Sequence, residues 1–281
     1  MTPTPKVSIV VLTWNDKANV LECLESLSQV DYPNLEVIVS DNGSTDGSIE
    51  AIRATFPNVI LIENGENLKF SRGNNVGIQY ALEHGADYVL LLNNDTIVDP
   101  HFITEMVEVG ETDPTIGMLG PKIYYHTEPN VIWYAGGEIS LWKGLAWHTG
   151  IREPDTGQFD EIRDVGYITG CALMVKRNVI EKIGMLDPTY VAYAEDSDFS
   201  LRARRAGYRL VYVPSAKLWH KIGGAWGTVT RRKIWNKFKS HLILFRRYAP
   251  PLAWFTTIPL FFVLDGFRIL FLIAKGKIRN T

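Results

Sequence analysis

The sequence predicts an α/β sandwich on a mainly parallel central sheet, followed by a C-terminal helical tail. Three observations predict it. Short apolar runs alternate with segments of helical period through the first hundred residues; the texture changes near residue 118; and charge segregates sharply after residue 198.

Residues 7–12, 35–40, 59–62 and 88–92 are rich in Val, Ile and Leu. Runs that apolar suit strands covered on both faces, as in parallel sheets. Leu21, Leu24 and Leu27 recur at helical spacing between the first two runs, and residues 74–83 read as a helix between the third and fourth. Strand–helix alternation of this kind builds a parallel sheet with crossover helices. Ligands in such sheets bind beyond the carboxyl ends of the strands. From residue 118 to 177, shorter strand-like pieces, aromatics and glycines take over. Helices are expected again at 178–183 and 195–206, and a strand at 209–213. No repeat of fixed period and no low-complexity segment is visible.

A chain of 281 residues with 46% apolar composition can bury a substantial core. Its two cysteines, Cys23 and Cys171, cannot form a disulfide framework or a zinc cage alone, and they fit a reducing compartment. The N-terminal stretch lacks a basic start followed by an unbroken apolar run, so a cytoplasmic location is expected. Residues 1–198 carry 30 acidic and 12 basic side chains, whereas the remainder carries 17 basic residues and one acid, Asp265. That split suggests a basic tail that meets a polyanion.

The tail opens at about residue 230. Ile234, Trp235, Phe238, Leu242 and Phe245 fall on one helical face, with most Lys and Arg elsewhere. Pro250 and Pro251 interrupt it before an apolar stretch at 252–264, which is shorter than the roughly 20 residues a bilayer span needs. Extending it through 269–274 would bury Asp265 and Arg268 at a few kcal/mol each. Peripheral attachment to the inner face of a membrane fits this pattern. A homodimer interface, or a cover for the core, fits the apolar stretch as well. Nucleic acid does not fit, since no reader motif is present and the acidic half would repel it.

The strand ends carry the chemistry. VVLTWND, after the first run, lacks the glycine pattern of a dinucleotide fold or a P-loop, which argues against a dehydrogenase or a kinase. The second run ends in SDNGSTDGS, either a polar turn into a helix or a place where Asp41 accepts a hydrogen bond from a pyrimidine N–H. The fourth runs into LLNNDTIVDP, either a capped turn or a set of hard oxygen ligands for Mg2+ or Mn2+. In YAEDSDFSLRARRAGY, the acids at Glu195, Asp196 and Asp198 either complement a helix dipole or supply a general base. His220, at the end of a strand-like segment, is either structural or a ligand of metal or diphosphate.

Together, DNGSTDGS, FSRGNNVG, NNDT and EDSDFSLRARRAGY resemble glycosyltransferase family 2, and within it the rhamnosyltransferase-like branch of bacterial polysaccharide synthesis. The resemblance covers roughly residues 7–224. It implies the GT-A fold, with a domain at 1–229, split into a nucleotide-binding half at 1–117 and an acceptor-binding half at 118–229, ahead of the tail at 230–281. It implies inverting transfer from a UDP- or dTDP-sugar to a glycan or lipid-linked acceptor hydroxyl. Thr13 and Asn15 would line the nucleotide pocket, Asp41 would read the base, and Arg72 and Asn74 would sit beside the base or diphosphate. The family's Asp-x-Asp appears as Asn93-Asn94-Asp95, which makes Asp95 the expected metal ligand. Asn93 departs from the acidic first position. Asp196 matches the base, paired with Glu195, and His220 matches a histidine that contacts metal or diphosphate. Apart from the resemblance, WYAGGEISLWKGLAWHTG is rich in Trp and Gly; aromatic faces there either pack in the core or stack on a sugar, with His148 or Trp142 expected to border the acceptor. The rival enzyme, a sugar nucleotidyltransferase, would show a glycine-rich basic loop after the first strand. A non-catalytic sugar-nucleotide or glycan-binding protein would bind donor without turnover, and a glycoside hydrolase has no use for the nucleotide and metal features.

Overall fold

The computed structural model describes residues 4–143, 145–190, 192–222, 231–255, 259 and 263. The first half is a run of crossover units: β1 (Val7–Thr13), α1 (Lys17–Leu27), β2 (Leu35–Asp41), α2 (Ser48–Thr55), β3 (Ile60–Glu63), α3 (Lys69–Glu83) and β4 (Tyr88–Asn93). A short β5 (Thr96–Val98) and α4 (Phe102–Glu111) lead into β6 (Ile116–Tyr125). β7 (Glu128–Tyr134) doubles back on β6, and β8 (Gly137–Ser140) pairs with β9 (Leu145–His148) as a separate hairpin. β10 (Arg163–Asp164), β11 (Ala172–Lys176), α5 (Arg177–Ile183), α6 (Glu195–Arg205), β12 (Arg209–His220) and α7 (Arg231–Tyr248) complete the described elements, with a 3-10 turn at Pro251–Trp254.

One sheet runs through both halves in the order β10-β12-β6-β11-β4-β1-β2-β3. β1 pairs in parallel with β2 and β4, β2 with β3, and β6 with β12. β11 runs against both β4 and β6, so β6 and β12 point the same way as the first four strands. Six carboxyl ends therefore open on one edge.

The apolar runs predicted as strands are strands; β1 and β4, in the middle of the sheet, are covered on both faces, whereas β3 is a half-buried edge strand. Val7, Ile9, Val10, Val11, Leu90 and Leu91 are all buried. α1 buries Val20, Cys23, Leu24 and Leu27 at i, i+3, i+4 and i+7, one position offset from the stripe expected through Leu21. α3 lies close on β1 because Gly73 and Gly77 face it. A Cβ on Gly77 would fall 2.3 Å from Val10 Cγ1, so any larger residue would force the helix away. β12 is longer than the strand expected at 209–213. Beyond Val213 its residues alternate between exposed Ser215 and Lys217 and buried Ala216 and Leu218, the pattern of a strand with one face open, with a bulge between Val213 and Lys217.

The tail helix departs from its expected face. Ser240, Leu244 and Phe245 are the buried side, while Trp235 and Leu242 are exposed. Leu244 and Phe245 pack with Tyr190, Ala194, Leu201 and Ala253 in a small second core, flanked by Ile139 and Leu141 of the hairpin. The face is chosen by that distant loop, which local periodicity cannot see. Among the described residues no helix is long and apolar enough to cross a membrane. Asp265, Arg268 and residues 269–274 lie outside the described residues.

Candidate active site

On the first side of the rim, Thr13 ends β1 in register with Asp41 at the end of β2. One Asp41 oxygen, Oδ1, accepts the backbone N–H groups of Gly43 at 2.9 Å and Ser44 at 2.8 Å, a turn that Gly43 permits with φ of 76°. The other, Oδ2, is buried with no hydrogen-bond partner. An orphaned buried acceptor costs about 1–3 kcal/mol unless a ligand donates to it. Asn15, at φ of 47°, binds the Thr45 N–H through Oδ1 at 2.7 Å and gives its own N–H to Ser44 Oγ at 2.8 Å. It thus ties the loop after β1 to the loop after β2. Asn94 donates to Asp16 Oδ2 at 3.2 Å and to Thr13 Oγ1 at 3.4 Å, which links the β4 turn to the same corner. Arg72 is exposed on α3. Asn74 is buried beside it and donates to the Phe70 carbonyl at 3.0 Å, so its amide serves the helix backbone.

Asp95 lies in the tight turn between β4 and β5. Its carbonyl accepts the Lys221 N–H at 2.8 Å, which fastens the turn to the end of β12. His220, the last residue of β12, brings Nε2 to 3.1 Å from Asp95 Oδ1. Burial disfavours the charged imidazole, but the Cys171 sulfur and the Asp95 carboxylate raise its pKa to about 10. Its Nδ1 is buried without a hydrogen-bond partner. Among the described residues no three His, Cys, Asp or Glu side chains gather to hold an ion. A carboxylate and an imidazole on one spot nevertheless suit a divalent cation that would displace the imidazole proton and take its other ligands from phosphate and water. The donor set fits such an ion. Asn93 stands at the last position of β4, with its N–H given to the Cys171 carbonyl at 2.9 Å.

Asp196 meets the turn that leads into β11. Its Oδ2 accepts the N–H of Gly170 at 3.0 Å, one residue before the Cys171 that bonds Asn93. Its Oδ1 accepts the N–H of Ser197 at 2.7 Å. Asp95 and Asp196 therefore border one stretch of rim, joined through residues 170–171. α6, which carries Asp196 in its first turn, follows Tyr193 and Ala194, which sit in the left-handed region at φ of 68° and 66°. Two successive non-glycine residues there cost about 1–3 kcal/mol each, and persist only where the surroundings over-determine them. Glu195 is buried with Oε2 unpartnered. Burial, and then the neighbouring Asp196 charge, push its carboxyl well above the usual range. The pair thus contains one carboxyl biased towards its neutral form beside one with polar support.

His148 extends the cluster. Its ring stands edge-on to Trp133 at 4.5 Å, and Trp133 stands edge-on to His220 at 4.6 Å. Burial lowers its pKa, against the pull of Asp196. Trp142 lies out on the hairpin, about half exposed. Sequence reasoning missed Trp133 and the Gly170–Cys171 turn. The only cue was a glycine directly before the apolar run 171–175.

The family model for glycosyl transferase family 2 matches residues 8–184, which take in β1 to α5 and the rim at Asp41 and Asp95. The chain belongs to glycosyltransferase family 2. It is 29% identical over 236 residues to the N-acetylglucosaminyl-diphospho-decaprenol L-rhamnosyltransferase of Mycobacterium tuberculosis, a match covering 77% of this chain and 76% of that one. Two solved structures share the fold. One is the mannosyltransferase PcManGT from Pyrobaculum calidifontis in complex with GDP-Man and Mn2+, with a TM-score of 0.62 and 22% identity over 89% of this chain and 67% of the other. The second is GalNAc-T7 with UDP, GalNAc and Mn2+, with a TM-score of 0.68 and 18% identity over 86% and 48%. The GT-A architecture expected from the sequence is the observed one.

Proposed function

We propose that this glycosyltransferase is an inverting, divalent-cation-dependent enzyme that moves rhamnose from a dTDP-sugar to a hydroxyl of a lipid-linked glycan, in the cytoplasm at the membrane's inner face. The observation that carries it is the meeting of Asp95 and Asp196 on one stretch of rim, joined by the hydrogen bonds at Gly170 and Cys171. The similarity to a rhamnosyltransferase acting on a lipid-linked N-acetylglucosamine supports the choice of sugar and acceptor.

In this reading Asp41 Oδ2 takes the pyrimidine N–H that it lacks in the free protein. Thr13 and Asn15 hold the loops around the nucleoside, and Arg72 reaches the diphosphate from α3. Asp95 and His220 hold the cation, which when bound offsets the negative charge of the departing diphosphate. Asp196 takes the proton of the acceptor hydroxyl as that oxygen attacks the anomeric carbon from the opposite face, with Glu195, biased towards its neutral form, beside it. Position and fixed electrostatics supply most of the rate.

A thermal-shift screen of UDP- and dTDP-sugars, with and without manganese, tests the donor assignment. At a ligand concentration of 100 times Kd, the bound form gains about 2.7 kcal/mol, which is a rise of roughly 5–10 °C. dTDP-rhamnose with manganese should give the largest rise. No shift with any nucleotide sugar, metal present or not, would contradict the reading.

Membrane contact has its own support. Trp235 and Leu242 are exposed on α7, among exposed Lys237, Lys239 and Arg246. Each cation near an anionic leaflet contributes roughly 1 kcal/mol. The full chain should float with phosphatidylglycerol vesicles and stay behind with phosphatidylcholine alone, and Lys237→Glu with Lys239→Glu should abolish flotation. Equal behaviour on both lipids would remove the electrostatic contact.

A further inference from the structure

We infer that α7, outside the span matched by the family model, is a positioning element for the catalytic loop: through Arg247, Tyr248 and Ser240 it clamps Asp187, Tyr190, Ala192 and Asp198 so that Asp196 faces the acceptor. The inference rests on the assignment of Asp196 as the base. Asp198, two residues on, is fully buried. Its Oδ1 accepts the hydroxyl of Tyr248 at 2.8 Å, the hydroxyl of Tyr190 at 3.2 Å and Arg247 Nη1 at 3.3 Å. Its Oδ2 takes Arg202 Nε at 2.8 Å. Arg247 also pairs with Asp187 and lies over the Tyr190 ring, and Ser240 Oγ donates to the Ala192 carbonyl at 2.8 Å. Arg205 lies over the Tyr248 ring at 4.4 Å.

From the far side, α3 grips the same loop. Asn75 exchanges two hydrogen bonds with the backbone of Leu186, and Ser71 donates to the Tyr190 carbonyl. The strained pair Tyr193–Ala194 thus sits between two clamps, one of them on the donor-side helix. A buried carboxylate held by two phenols and two guanidiniums is over-determined for a mere helix start, where backbone N–H groups suffice. Its partners on α7 are what hold the loop from outside, and releasing them lets residues 190–196 relax. A displacement of about 1 Å in a positioned group can cost a hundredfold in rate.

The test compares the full-length Arg247→Gln/Tyr248→Phe protein with wild type, Arg247→Lys and Asp196→Asn, using dTDP-rhamnose and a polyprenyl-diphosphoryl N-acetylglucosamine. The double variant should lose between about tenfold and a hundredfold in kcat, with donor KM within about twofold, and Arg247→Lys should recover part of it. Amide exchange at residues 192–198 should quicken, while exchange in β1 and β4 stays at the wild-type rate. Wild-type kcat in the double variant overturns the inference, as does a loss confined to donor KM. Transfer retained by Asp196→Asn would instead remove the base assignment beneath it.

Discussion

Asp196→Asn is expected to abolish sugar transfer while donor binding stays within about twofold of wild type. The substitution keeps the shape of the side chain and one oxygen for the Gly170 N–H. The Ser197 N–H, in the first turn of α6, is the backbone group that loses its acceptor, so the fold should hold. What it removes is the acceptor of a proton. General bases of this kind contribute roughly 10²–10⁴-fold, and a neutral amide supplies none of that. Neighbouring Glu195 is a poor substitute, since burial and the Asp196 charge push its carboxyl towards the neutral form. In the variant that repulsion falls, yet its Oε2 remains enclosed. Turnover should therefore fall by at least a hundredfold, read with the natural donor and a lipid-linked acceptor. Near-normal turnover would exclude Asp196 as the base.

Asp95→Ala acts on the other half of the reaction. The turn between β4 and β5 should keep its backbone, because the Asp95 carbonyl and not its side chain bonds Lys221. The carboxylate itself is paired only with His220 among the described contacts, so its loss leaves an imidazole without its counter-charge and a cation with one protein ligand fewer. Loss of an outer partner of a metal ligand commonly weakens binding by about 10–100-fold, and loss of the ligand should do at least as much. Donor affinity in manganese should then fall to the value seen in chelator, and kcat should fall with it.

Much of this was readable before any coordinates. The four apolar runs of the first half are strands: their length and Val/Ile/Leu content suit a sheet, with β1 and β4 covered on both faces and β3 half-buried at the edge. Asp41 and the Asn93–Asp95 turn were legible for the same reason, since polar groups at the ends of such runs must lie on the rim. What stayed hidden depended on contacts far apart in sequence. Lys122 looks like an ordinary surface lysine within an apolar run, yet it is fully buried because Asp155 and Asp160 reach it from a loop more than thirty residues away. Asp198 reads as one of three acids in a first turn, and only α7, some fifty residues later, makes it a hub. Asn74 matches a motif position and gives one amide N–H to Phe70 in the same helix, while Arg72 beside it is exposed.

The central claim separates two carboxylates by task, and one calorimetric comparison tests it. Titrating dTDP-rhamnose into wild type, Asp95→Ala and Asp196→Asn, each with manganese and with chelator, should give a metal-dependent gain in affinity for wild type and Asp196→Asn and none for Asp95→Ala. An equal manganese-dependent gain in all three would show that the cation is held elsewhere, and the division of labour along the rim would fail.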